Sequence, residues 1–237
     1  MKKVITYALI LAAAFACQRE NLPEEAVEPD SLVDKVFTTD AETKTVLSGS
    51  SVRWAESDKV SVFDGKGNRR FSVALEGNAA SIYGKAADVS SYSLLYPYDE
   101  SAVCASKVIS TLLPEIQRPE KDGFDPSANI TCCFTEGESV TMSNVCGLLK
   151  FTVSGNDVAG ISLTSVAGEK FAGRIKVDMS ISGKPAVTSA TSDCVRILPS
   201  SGKVFQPGTY CVSLAPVTMN SGVEIRLFKS DGQLDCA

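Results

Sequence analysis

The sequence predicts an all-β protein made of two consecutive β-sandwich domains. Short segments of alternating apolar and polar residues recur along the chain, and clusters of Gly, Pro, Ser or Asn separate them. The clearest segment, residues 174–182, places Ile175, Val177, Met179 and Ile181 on one face, which is the period of a half-buried strand. Beyond the first sixteen residues no segment has a helical period, so short strands with regular turns favour sandwiches.

The first sixteen residues have the pattern of a signal peptide. Lys2 and Lys3 precede an apolar run over residues 4–16 that ends in small residues, and this run is shorter than the ~20 residues needed to span a membrane. Cys17 follows directly, as in a bacterial lipobox, where the cysteine is lipid-modified and becomes the mature N-terminus. A plain secretory signal followed by a chance cysteine is the alternative. We expect lipidation at Cys17.

The remainder of the chain divides into three predicted parts. Residues 17–35 are polar and acidic with two prolines, which is typical of a lipidated, extended spacer. Residues 36–145 form the predicted N-terminal sandwich, and residues 146–237 form the C-terminal one. Within the first sandwich, residues 113–126 are rich in Pro, Lys and Glu and predict a long crossing loop, and residues 139–142 predict a strand.

Residues 43–63 organise the first sandwich. They predict an opening strand, a Ser/Gly turn, a return strand that ends at Trp54, and a third strand in which Val60 and Val62 share the apolar face. The glycine-rich stretch 64–68 follows. Asp64 suggests a calcium loop, but this loop lacks the alternating oxygen ligands and the closing Glu, so we interpret it as a hairpin turn.

The second sandwich opens with a predicted strand that places Leu149, Phe151 and Val153 inward. It ends in a hairpin at Asp231 and Gly232 after the predicted strand 223–228. The second arm of this hairpin is only a few residues long, which indicates either a truncated chain or an open sheet edge. An unpaired edge would invite another strand.

Charge and residue types exclude several functions. The net charge is −5 without a basic pattern, which argues against nucleic acid as a partner. The chain has no histidine, so Ser-His-Asp and Cys-His catalysis are excluded, and no phosphate-binding or dinucleotide motif occurs. We therefore predict no enzyme, no catalytic residue, no metal site and no cofactor. The seven cysteines after Cys17 have no metal-site spacing, and they leave open one or two disulfides or none.

The aromatic residues allow two interpretations. Trp54 and the tyrosines within residues 92–98 suit either a sandwich core or a platform that stacks on sugars. We favour the core interpretation.

Several motifs resemble the Bacteroidales fimbrillin family of type V pilus lipoproteins. The opening signature comprises Thr43-Lys44-Thr45, Leu47, Gly49, Val52, Trp54, Asp58 and Val60-Ser61-Val62-Phe63. Tyr96-Pro97 and residues 123–130 (GFDPSANI) are similar to the middle of that family's chains. The second-domain likeness comprises residues 147–151 (GLLKF), Gly168, Ala172-Gly173, Tyr210 and Ala215-Pro216-Val217. The resemblance covers most of residues 43–232.

The resemblance implies two transthyretin-like Greek-key sandwiches and a lipid-anchored protein of the outer membrane and cell surface. It implies a pilus subunit, anchor or adhesin whose partners are other fimbrial subunits, bound by β-strand addition, and surface ligands of host or bacterial cells. In pilin members a protease cuts after an arginine and removes an N-terminal strand. Here only Arg19 and Arg53 are near, and neither is a convincing cleavage site, which favours an anchor or unpolymerised protein. The alternative function is a glycan-binding surface lipoprotein for nutrient capture.

Overall fold

The protein is almost entirely strand and turn in the computed structural model, which describes residues 31–40, 54–180, 184–231 and 234–236. All described residues belong to one compact unit, Ser31–Ala237. The strands of the first half are β1 (Leu32–Asp40), β2 (Lys59–Phe63), β3 (Asn68–Glu76), β4 (Ala79–Ala87), β5 (Tyr92–Tyr96), β6 (Val103–Ala105), β7 (Val108–Leu113), β8 (Ile116–Gln117), β9 (Thr131–Thr135) and β10 (Ser143–Asn144). Those of the second half are β11 (Gly147–Val153), β12 (Val158–Ser165), β13 (Gly173–Asp178), β14 (Ala186–Ser189), β15 (Cys194–Ile197), β16 (Gly208–Leu214), β17 (Val223–Lys229) and β18 (Leu234–Cys236).

These strands form four sheets. A seven-stranded sheet has the order β1-β4-β3-β2-β5-β9-β10, and a four-stranded sheet has the order β14-β13-β7-β6. A five-stranded sheet has the order β18-β17-β12-β15-β8, and β11 pairs with β16 in a two-stranded sheet. The pairings are antiparallel except that of β8 with β15. The predicted all-β, sandwich-like architecture is confirmed.

The seven-stranded sheet supports a core on each face because its central strands are apolar on both sides. In β2, Val60 and Val62 belong to a first buried cluster and Phe63 belongs to a second. In β5, Leu94 belongs to the first cluster and Leu95 to the second. The second cluster also contains Ile109 of β7 and Ile175 and Val177 of β13, so the four-stranded sheet packs against this face. A strand that is apolar on both faces does not show the alternation by which strands are usually recognised.

The first cluster is enclosed by the seven-stranded sheet itself. Phe37 of β1 contacts the rings of Phe71 and Tyr92, with ring centroids 6.0 and 5.3 Å apart. The outer edge of β1 bonds to the chain just before β10: the Thr38 N–H donates to the Glu138 carbonyl at 2.8 Å, and the Val140 N–H donates to the Thr38 carbonyl at 2.9 Å. These two hydrogen bonds tie the outer edge of β1 to the segment that leads into β10.

The third cluster lies between the five-stranded and two-stranded sheets. Its buried members are Val153, Ile161, Leu163, Phe171, Ala172, Val195, Ile197, Phe205, Tyr210 and Val212. Tyr210 packs edge-on against Phe205 with centroids 5.0 Å apart, and its hydroxyl donates to the Gln206 carbonyl at 2.7 Å. The polar end of this ring is thereby satisfied at the margin of the core.

Most of the predicted strands that fall within the described residues are present, with three differences. The strands and turn predicted over residues 43–53, and residues 181–182 of the strand predicted over 174–182, lie outside the described residues. The strand predicted over residues 174–182 is β13, which ends at Asp178 because the Asp178 carboxylate accepts hydrogen bonds from the Ser180 N–H and hydroxyl and turns the chain. Strand β1 begins inside the stretch predicted to be a spacer. The residues predicted as a strand near 139–142 instead form a bridge to β1, with β10 following.

Strand pairing crosses residue 146. Strand β7 pairs with β13 over its whole length, and β8 pairs with β15, so each half of the chain contributes strands to a sheet of the other half. The boundaries at residues 36–145 and 146–237 stay a prediction. The hairpin predicted at Asp231 joins β17 to β18, with Phe228 opposite Leu234.

Candidate functional site: an apolar groove beside β11

An apolar groove of about 430 Å³ follows β11 in the sandwich of the third cluster. Its walls are Leu149, Lys150, Phe151, Thr152, Val153, Ser154, Gly155, Val158, Ile161, Leu163, Ile197, Ile225 and Leu227, and we call it the β11 groove. Consecutive residues of β11 line it, although neighbouring side chains point to opposite faces of a strand. The groove therefore runs along the edge of β11 as well as beneath it.

The groove exists because the two facing sheets differ in width. The five-stranded sheet extends beyond the two-stranded sheet, which leaves the inward face of β17 uncovered. Ile225 on β17 is 48% exposed and Leu149 on β11 is 42% exposed, although both side chains face the groove. Apolar side chains on the inner face of a sandwich are ordinarily covered by a strand of the opposite sheet. No strand of the described residues occupies the position beside β11 on this side.

The direction of the backbone groups on β11 follows from its partner. On β16, the Cys211 N–H donates to the Gly123 carbonyl at 2.8 Å, and the Thr209 carbonyl accepts from the Asp122 N–H at 2.7 Å. The backbone N–H and C=O groups of these odd-numbered residues of β16 therefore point away from β11. In an antiparallel ladder, opposed residues point their N–H and C=O groups either towards each other or both away.

The register then identifies which groups of β11 are unused. Lys150 lies opposite Cys211 and Thr152 opposite Thr209, while Leu148 lies opposite Ser213. The N–H and C=O groups of Leu148, Lys150 and Thr152 consequently face the groove edge, and none of them bonds to another backbone group in the described part of the chain. Three donors and three acceptors are thus arrayed as on the edge of any unpaired strand.

This combination suits an extended peptide. The alternating N–H and C=O groups match the hydrogen-bonding pattern of a β-strand, and the apolar floor suits every second side chain of that strand. The sequence predicted the inward face of Leu149, Phe151 and Val153 correctly. It did not show that β11 lies at an edge, since edge position depends on partners far along the chain.

The predicted lipidation residue, Cys17, lies outside the described residues. No helix within those residues is long and apolar enough to cross a bilayer. The described residues contain no group of three or more acidic or cysteine side chains placed to hold a metal ion, and the absence of a metal site stays a prediction.

The aromatic residues weighed as a sugar platform lie mostly in the core. Trp54 is 7% exposed and Tyr92 6% exposed. Trp54 packs edge-on against Tyr96 at 5.0 Å, and the Tyr96 hydroxyl donates to Asp58 at 3.2 Å. Burial, followed by the nearby Asp58 charge, raises the pKa of Tyr96. Tyr98 is half-buried, with its ring 5.2 Å from the guanidinium of Arg70. Neither Trp54 nor Tyr92 presents an open face for a sugar.

The loop at Asp64 is a turn, as predicted. The Asp64 carboxylate accepts from the N–H groups of Lys66 and Gly67 at 3.0 and 2.9 Å, and also from Arg69 and the distant Ala87 N–H. Burial alone would raise the pKa of Asp64, but the bonds from Ala87, Arg69 and the turn outweigh it and lower the pKa. Its oxygens are occupied by the protein's own donors.

No disulfide joins the six cysteines whose side chains are described: Cys104, Cys132, Cys133, Cys146, Cys194 and Cys211. Cys132 and Cys133 belong to different core clusters, as expected for neighbours on one strand. Burial raises the pKa of Cys146 to about 12 and raises that of Cys132 as well. These thiols are protonated at neutral pH and act as small apolar side chains.

Comparison with known proteins adds no relative. No family model, no curated protein and no solved structure matches this chain.

Proposed function

We propose that this chain is a non-enzymatic, lipid-anchored cell-surface protein of the fimbrillin type that accepts a β-strand from a partner subunit along β11. The observation that carries the proposal is an edge of β11 that pairs with no strand in the described part of the chain and lies above an apolar floor. Main-chain hydrogen bonds along such an edge supply affinity, and pockets for alternate side chains supply selectivity. The sequence motifs of residues 43–63 and 147–151 support the same family from an independent direction.

We propose further that the chain folds as two transthyretin-like Greek-key sandwiches. Two transthyretin-like Greek-key sandwiches are consistent with two pairs of facing sheets, one around the second cluster and one around the third. The proposed role is an anchor, tip or adhesive subunit of a pilus. Removal of the signal peptide leaves Cys17 as the lipid-bearing N-terminus at the outer membrane.

The anchor is tested by replacing Cys17. Cys17→Ala should move the protein from the membrane fraction to the soluble fraction, because the thioether-linked lipid is lost. Cys194→Ala is the matched control and should leave the protein in the membrane fraction. Mass spectrometry of the wild-type protein should find a lipid-modified N-terminal Cys17. Unchanged membrane association of Cys17→Ala would refute the anchor.

Strand acceptance is tested on protein isolated from its native cell envelope. On an unboiled denaturing gel the protein should run as a discrete complex with one partner, and boiling should release it, because strand-complemented complexes resist detergent. A regular ladder would show polymerisation and overturn the anchor role. A monomer band in both lanes would count against strand acceptance.

A further inference from the structure

The charge beside the β11 groove restricts which strand can complete it. Lys150 is exposed, and it lies on the face of β11 opposite to Leu149 and Phe151. No carboxylate of the described residues lies within ion-pair distance of its Nζ. It is also the middle member of the three residues whose backbone groups face the groove edge.

We infer that the β11 edge takes an unlike strand that carries a carboxylate opposite Lys150 and rejects a second copy of itself. The inference rests on the proposed function, and it specifies the chemistry of the partner. Directly opposed side chains of neighbouring strands lie ~4.5–5.5 Å apart at Cβ, so an Asp or Glu there reaches the Lys150 ammonium.

Self-pairing is disfavoured by the same geometry. Two copies of β11 that join through their free edges about a two-fold axis overlap most fully when the axis passes through Lys150. Each Lys150 then lies opposite the other, and like charges directly opposite each other destabilise a pair of strands. Lysine on an exposed edge is also a common device against edge-to-edge association.

The apolar side of the incoming strand is set by the groove floor. Because Leu149, Phe151 and Val153 occupy alternate positions on β11, the neighbouring strand must place apolar side chains at alternate positions over Ile225 and Leu227. Its opposite face then lies beside Leu148, Lys150 and Thr152. The predicted ligand is an extended segment with alternating apolar residues and one central acid on its outer face.

The experiment uses the full mature protein and two synthetic peptides, Ac-TVTVEVTVT-NH2 and the same peptide with Lys in place of Glu. Binding is followed by fluorescence anisotropy at low ionic strength, with labelled peptides. The acidic peptide should bind ~3–10-fold more tightly than the basic one, which is the size expected when a cross-strand charge pair changes from attractive to repulsive. The difference should shrink in 0.5 M salt.

Variants at position 150 distinguish the contribution of the Lys150 side-chain charge to peptide binding from that of its backbone N–H. Lys150→Glu should reverse the preference, so that the basic peptide binds more tightly. Lys150→Pro removes an N–H that faces the groove and leaves the ladder to β16 intact, so it should abolish binding of both peptides. Lys150→Ala keeps the N–H and should bind both peptides about equally.

Amide hydrogen exchange identifies what occupies the groove. A bound strand should protect the amides of Leu148, Lys150 and Thr152, while those of Leu149 and Phe151 are already protected by β16. If a peptide binds without this alternating protection, it occupies the groove through apolar contacts and not as an added strand, and the inference is overturned. Equal affinity of the two peptides would also overturn it, and in that case strand acceptance itself would stand. Failure of Cys17 lipidation would refute the anchor without affecting this result.

Discussion

The side chain of Gln117 pairs with the backbone of Ser213 as a strand would. Its Nε2 donates to the Ser213 carbonyl at 2.7 Å, and its Oε1 accepts from the Ser213 N–H at 2.9 Å. Gln117 is completely buried and Ser213 is 2% exposed. The Gln117 amide thus completes the inner edge of β16, on the side opposite to β11. The protein itself therefore closes the β16 edge of this small sheet, whereas no strand among the described residues pairs with the β11 edge.

Replacing Gln117 by Leu should lower the free energy of unfolding by about 2–4 kcal/mol. Two buried backbone groups of Ser213 would lose their partners, and each unsatisfied group costs about 1–3 kcal/mol. Denaturation in urea, with the midpoint compared at constant slope, measures the change. Gln206→Leu makes the same chemical change at an exposed site and should alter stability by less than about 0.5 kcal/mol. Equal effects of the two variants would show that the Gln117 bonds contribute nothing.

Asp64 should make stability depend on pH. Its pKa in the folded state lies below the ordinary value, so its contribution is present above the unfolded pKa and is lost as the pH falls through the folded pKa. At pH 7, Asp64→Asn should cost about 2–4 kcal/mol, since the carboxylate accepts from Arg69 and Ala87 in the interior.

The difference between wild type and Asp64→Asn should therefore narrow as the pH is lowered from 7 to below 4. Urea denaturation at several pH values provides the measurement. Asp88→Asn removes an exposed ion pair with Lys35 and serves as the control, with an effect of about 0–1 kcal/mol. A difference for Asp64→Asn that does not vary with pH would contradict the assignment.

Local patterns determine which parts of the fold are predictable. Strands such as β3 and β13 alternate because one face is buried, so their inward residues can be recognised without knowledge of partners. The Asp64 turn is equally local, since its first two bonds reach only Lys66 and Gly67. The ion pair of Asp64 with Arg69 and its bond to the Ala87 N–H could not be predicted from the sequence and are seen only in the folded structure.

The partners of each strand were not predictable from the same patterns. Alternation in β7 and β13 does not indicate that they pair with each other. Gly173 and its partner Leu113 have 59 residues between them, and the alternating pattern would fit other strands equally well. Gln117 stands in a stretch that the sequence suggests is a loop, and its role depends on Ser213 far along the chain. The β11 groove depends on the relative widths of two sheets, and no local pattern encodes these widths.

Gly84 should not tolerate a methyl group. A Cβ at this position would lie 2.8 Å from Cγ and Cδ2 of Phe71, whose ring is completely buried against β4. Gly84→Ala must displace that ring, and overpacking of this kind costs about 1–3 kcal/mol. Gly137→Ala is the matched control because a Cβ there has no neighbour within 4 Å. Thermal or urea denaturation should show loss of stability only for Gly84→Ala, and comparable stability of both variants would contradict the packing.

The single tryptophan, Trp54, provides a direct test of the sugar-platform alternative. Because Trp54 is 7% exposed and packs against Tyr96, its emission should be blue-shifted in the native protein and shift to the red on unfolding. Iodide should quench it much less in the native than in the unfolded protein. Neutral oligosaccharides should leave the native emission unchanged, since the ring has no open face on which a sugar can stack. Tyr96→Phe, which removes the hydroxyl bonded to Asp58 and keeps the ring, is the control variant and should retain the blue-shifted emission. A saturable change in Trp54 emission with an oligosaccharide would contradict the core assignment and favour glycan capture.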